Sequence, residues 1–164
     1  MRELLTVPDA RLRVRSAPIA SVNGFVRSLA AEMLEQLKTL RAAGLAAPQF
    51  GELVRLIVLN VNGLEVVLLN PEVAKTRDLH WVTEGCRSIP GKTFRLKRPK
   101  VVKLKGLDLD GRERGVKGHD FLAQVLVHEV DHLNGILIDS LGQPIREGDE
   151  SQSLCHLKET VPLR

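Results

Sequence analysis

The sequence predicts an α+β protein, with antiparallel β-strands packed around a central helix and an amphipathic helix near the N-terminus. Three observations carry this. Two segments show strong helical periodicity. Between them lie runs rich in Val, Ile and Leu, separated by Asn-Gly and Asp-Gly turns. Helices and strands do not alternate regularly, which argues against a doubly wound sheet.

The first helix is predicted over Val22 to Leu40. Val22, Phe25, Val26, Leu29, Met33, Leu37 and Leu40 recur at steps of three and four, and Ser21 or Asn23 can cap the start. Gly44 ends the segment, and Pro48 and Gly51 mark an irregular loop. Strands are expected over Leu53 to Asn60 and Glu65 to Asn70, joined by a hairpin at Val61-Asn62-Gly63-Leu64. Further strands are expected at Lys100 to Gly106 and Arg112 to Lys117, around the Asp110-Gly111 turn. The central helix is predicted from Asp120 to Asn134, stopped by Gly135. Ser151 to Thr160 is read as a short helix.

At 164 residues the chain fits one domain, residues 1–164, with a continuous core. A composition 43% hydrophobic and 27% charged excludes disordered and fibrous classes. No apolar run approaches the ~20 residues of a membrane span, and Met1 to Arg15 lacks a signal-peptide core. A cytoplasmic protein is expected. Two cysteines, Cys86 and Cys155, are too few for a disulfide framework, although a single bridge between them is an alternative.

The chemistry concentrates in His128-Glu129-Val130-Asp131-His132. Helical positions i and i+4 share a face, so His128 and His132 can converge on one divalent ion, which makes the central helix metal-binding. Glu129 is placed to exchange protons with metal-bound water. A surface helix that happens to carry two histidines fits poorly beside Leu126, Val127, Leu133 and Ile136. Catalytic sites of this kind use a third protein ligand. Position 138 is Ile, so the extended pattern with a third histidine fails. Glu147, Glu150 and Glu159 are downstream candidates in polar sequence. Upstream, Cys86 in Glu84-Gly85-Cys86-Arg87-Ser88-Ile89-Pro90 offers a thiolate suited to zinc or ferrous iron. The plainer reading of Cys86 is a small buried hydrophobe.

Three segments together resemble the peptide deformylase family: Gly44-Leu45-Ala46-Ala47-Pro48-Gln49 with Gly51, Glu84-Gly85-Cys86, and His128-Glu129-x-x-His132-Leu133 with Gly135. Their order and spacing match it over nearly the whole chain. The resemblance implies hydrolysis of the formyl group from the N-terminal formyl-methionine of nascent polypeptides. It also implies an α+β fold and ferrous iron as the metal, with zinc, nickel or cobalt able to occupy the site. By matching position, Cys86, His128 and His132 become the ligands and Glu129 the general acid/base. Gln49 becomes an oxyanion donor, joined by the backbone N–H of Arg87, while Gly44, Leu45 and Gly85 line the substrate backbone.

Three residues depart from the family's usual pattern. Ala42 stands where Gly is usual, and Arg87 follows the cysteine where Leu is usual. Gln124 lies in a turn that in the family lines the methionine pocket, unless it simply faces solvent. These departures motivate an alternative, a related metallohydrolase acting on a different formylated substrate. A metalloprotease using a downstream Glu and a metal-stabilised binding protein are further readings. The run Lys97-Arg98-Pro99-Lys100, with Lys103 and Lys105, reads most simply as a solvated face. Transient contact with the ribosome is the functional alternative. With 3% aromatic residues and no Tyr, neither base stacking nor sequence-specific nucleic-acid recognition is expected.

Overall fold

The computed structural model describes residues 2–145; Cys155, the downstream glutamates and the helix expected at Ser151 to Thr160 lie outside them. Helix α1 spans Gly24–Thr39, and Asn23 caps it by accepting from the Val26 N–H at 3.0 Å. Strands β1 (Gly44–Ala46), β2 (Leu56–Val61), β3 (Leu64–Cys86), β4 (Ile89–Leu107) and β5 (Glu113–His119) pair in that order into an antiparallel sheet. Helix α2 spans Asp120–Leu133, and a short β6 (Gln143–Pro144) pairs with β4.

The β2–β3 hairpin turns at Asn62-Gly63, both at positive φ (52° and 82°). That conformation favours Asn-Gly and suits the twist of the flanking strands. In β2, Leu56, Ile57, Val58 and Leu59 are all fully buried, because the strand is covered on both faces. Leu56 and Val58 join Val26, Leu29, Met33 and Leu37 of α1, whereas Ile57 and Leu59 join Val125, Leu126, Val130 and Leu133 of α2. A continuous apolar run is the signature of such a strand. Truncating a residue like Leu59 to Ala is expected to cost ~2–5 kcal/mol.

Two strands run well beyond the sequence expectation. The strand expected to stop at Asn70 continues to Cys86, and β4 starts at Ile89 rather than Lys100. Asn70 adopts φ 48° and exchanges two 2.8 Å hydrogen bonds with the Ile19 backbone. Register shifts follow it, between Leu69 and Glu72 and between Val73 and Lys75. Asn70-Pro71 therefore bends the strand instead of ending it, and β3 changes partners from β2 to β4. The β3–β4 hairpin delivers Cys86, at its tip, to the face of α2.

A candidate metal centre

Helical spacing stacks His128 and His132 on one face of α2, with ring centroids 5.0 Å apart. From β3, the Cys86 sulfur approaches His132 Nε2 at 3.3 Å. One ligand atom from each of Cys86, His128 and His132 lies within 4.8 Å of the others, and all three residues are buried. Burial alone would push the Cys86 thiol up, but the two imidazoles, His132 foremost, bring it down to about 5. Burial would likewise lower His128, yet its contacts with Cys86 and Glu84 hold it well above the usual range.

Strand alternation puts Glu84 on the same side of β3 as Cys86. Its carboxylate is wholly buried and meets His128 Nδ1 at 2.8 Å. It also accepts two bonds from the Arg98 guanidinium, at 2.7 and 3.0 Å. Arg98 then reaches Asp131 of α2 at 2.6 Å. Burial would raise the Glu84 pKa, but His128 and Arg98 outweigh it and hold the group at about 2. An ionised Glu84 accepts a hydrogen bond from the His128 Nδ1–H, which leaves Nε2 as the nitrogen that can give up its proton to a metal. The sequence reading of Lys97 to Lys100 as a solvated face is corrected at Arg98, which is only 4% exposed. Its signal was parity. Arg98 shares the inward register of Phe94, Leu96, Val102 and Leu104, all buried.

Beside these groups opens a small cleft, lined among others by Gly44, Gln49, Gly85, Cys86, Arg87, His128 and Glu129. Burial raises the Glu129 carboxyl to about 7, against the pull of His128 and His132. Among the described residues its Oε2 has no hydrogen-bond partner. A Cβ on Gly44 would lie 2.5 Å from Glu129 Oε1, so only glycine leaves this carboxylate its place. The Gln49 amide is oriented at both ends. Its oxygen accepts from the Ala46 N–H at 2.9 Å, and its nitrogen donates to the Ser88 hydroxyl at 3.1 Å.

Two residues keep their side chains out of the cleft lining. Leu45 is buried in the α1 cluster, so its side chain faces away from the cleft. Gln124 is buried and donates to the Thr83 carbonyl at 3.1 Å, which corrects the solvent-facing alternative. The Arg87 side chain lines the cleft and donates to the Leu40 carbonyl at 2.6 Å.

The donor set fits a divalent ion. Thiolate and two imidazoles are the ligand types of a catalytic zinc or ferrous site, and the three donor atoms lie close enough together to share one ion. A three-donor site beside a carboxylate and an oriented amide, in an α+β frame, defines a metallohydrolase. The chain belongs to the polypeptide deformylase family, whose pattern it matches over residues 1–146. It is 38% identical to a peptide deformylase of Thermoanaerobacter pseudethanolicus over 93% of this chain and 94% of that one. With the Thermomicrobium roseum peptide deformylase the identity is 42%, covering 84% and 83%. A solved peptide deformylase of Legionella pneumophila superposes with a TM-score of 0.85 at 34% identity, covering 87% and 86%. The Synechococcus elongatus enzyme in complex with actinonin gives 0.83 at 33%, covering 87% and 79%.

Proposed function

We propose that this chain, as a single catalytic domain, hydrolyses the N-formyl group from the N-terminal formyl-methionine of nascent polypeptides. The observation that carries the reading is the common cleft in which Glu129 and Gln49 stand beside Cys86 and His128. A purely structural metal site needs neither group. In this reading α2 is the central metal-binding helix, and α1 is the amphipathic helix bracing the opposite face of β2.

Cys86, His128 and His132 hold the ion, and ferrous iron is the assignment we favour over zinc, nickel or cobalt. A bound ion would acidify a water molecule and lend Lewis-acid polarisation to a carbonyl. Glu129 accepts the proton of the attacking water and returns it to the departing amine. The Gln49 amide, held by Ala46 and Ser88, donates to the oxygen on which negative charge develops, together with the Arg87 backbone N–H. Gly44 and Gly85, with the backbone of Leu45, flank the substrate main chain. The cytoplasm, where formylated chains are made, is the compartment this reading requires. Transient ribosome contact through the basic strand residues is its partner reading.

The test is turnover of a formyl-methionyl peptide by protein reconstituted anaerobically with ferrous iron. Glu129→Ala is expected to retain the metal, measured by elemental analysis, while turnover falls ~10²–10⁴-fold. Near-normal turnover in that variant would remove Glu129 from the mechanism. A second reading, action on another formylated compound, is favoured by the Arg87 guanidinium in the cleft wall. It requires weak selectivity for methionine across a panel varying the first side chain.

A further inference from the structure

Along the β3–β4 hairpin, the side of the sheet opposite α2 is occupied by cations. Directly opposed residues share a face, so the register places Lys75, Lys103 and Lys117 in one row across β3, β4 and β5. Arg77, Val101 and His119 form the next row, and beyond it come Leu79 with Pro99, Trp81 with Lys97, and Thr83 with Arg95. Glu72 with Lys105, and Glu113 with Leu107, close the other end. Seven cations (Lys75, Arg77, Arg95, Lys97, Lys103, Lys105 and Lys117) thus share a face with two carboxylates. That local surplus exceeds the formal +4 of the entire chain. All seven are exposed. Among the described residues only Lys105 has a carboxylate partner, Glu72 at 3.8 Å. On this side, the α1 cluster reaches only as far as Leu69 and Leu107.

Like charges directly opposite one another destabilise a sheet, so this row opposes the fold rather than supporting it. A dense anion would reverse its sign. We propose that this face docks the phosphodiester backbone of double-helical RNA. Strand spacing makes the three-lysine row ~10 Å wide, and Arg95 to Lys105 runs ~33 Å along β4. That is an elongated strip suited to a charged helix side. Base readout is not built in. The one tryptophan, Trp81, already has Arg95 and Lys97 against its ring at 5.0 and 5.2 Å. The contact is therefore electrostatic and indifferent to sequence. An anionic membrane is the poorer occupant, because Leu79 and Trp81 are the only large, strongly exposed apolar residues on this strip and sit toward one end.

This deepens the ribosome-contact reading, yet its test needs neither metal nor turnover. The probe is a fluorescently labelled RNA duplex of arbitrary sequence, titrated with the whole protein and followed by anisotropy at several salt concentrations. Two duplexes of unrelated sequence are expected to bind equally, with affinity falling linearly against log salt. Lys75→Gln/Lys103→Gln/Lys117→Gln is expected to weaken binding about tenfold or more and to reduce the salt slope by about three. Its circular dichroism and its turnover of formyl-methionyl peptide are expected to match the parent. Unchanged RNA affinity in this folded variant overturns the proposal. So does failure of the parent to bind the duplex at low salt while it binds phosphatidylglycerol vesicles. Absence of deformylation in a protein that still binds RNA would instead count against the catalytic reading alone.

Discussion

Arg98 and Lys103 lie on the same strand, five residues apart, and meet opposite fates. Arg98 points inward, where Glu84 accepts two of its hydrogen bonds and Asp131 a third. Lys103 points outward, between Lys75 and Lys117, with no carboxylate in reach among the described residues. The inner charge is fully matched because no water can screen it, and an unmatched one would be intolerable. Unmatched charge outside is affordable because water and salt screen it. Charge satisfied on one face and left open on the other separates what holds the site from what can meet a partner.

Arg98→Leu should break this comparison most forcefully. It leaves the buried Glu84 and the half-buried Asp131 without their cation, and removing one member of a buried pair typically costs ~3–5 kcal/mol. Urea denaturation should show the loss. A change under ~1 kcal/mol, a small fraction of that range, would mean that water enters the network and that Glu84 is not as dry as the structure has it.

Glu84→Gln acts more gently and sharpens the functional side. The amide keeps the volume but no longer holds a full charge against His128 Nδ1. Groups in this position typically contribute 10–100-fold to metal affinity, so competition with a chelator should show a weakening of about that size. Unaltered affinity would reduce Glu84 to a partner of Arg98 alone.

These two residues also mark where sequence reading stops. The helices are legible because periodicity and capping are local, and the His128–His132 pair because helical spacing is fixed. Cys86 enters as a candidate because the histidine pair lacks a third ligand. Glu84 stands two positions before it in plain sight, but its bond to His128 spans forty-four residues of sequence, and nothing local announces it. Arg98 is disguised by composition. Between Lys97 and Lys100 it reads as one more surface cation until β4 is known to begin at Ile89, which fixes the alternation that turns it inward. The extent of the hairpin stays hidden for a related reason. Asn70-Pro71 carries every local sign of a stop, and only the Asn70 side chain's pairing with Ile19 turns that stop into a bend.

The smallest expected effect tests the outer face by its sign. Lys103 opposes Lys75 on one side and Lys117 on the other, so Lys103→Thr removes two repulsions and installs a residue well suited to strands. Cross-strand pairs of this kind contribute ~0.2–1 kcal/mol each. The variant should therefore be more stable than the parent at low salt. That advantage should shrink as ionic strength rises and the Debye length falls from ~30 Å to ~3 Å. A thermal melt at two salt concentrations measures both. If Lys103→Thr instead destabilises the protein equally at low and high salt, its aliphatic stem is packing against the sheet, and the repulsion assigned to the row is not felt. A stabilised variant that has also lost RNA affinity would show a face whose charge opposes the fold and serves binding.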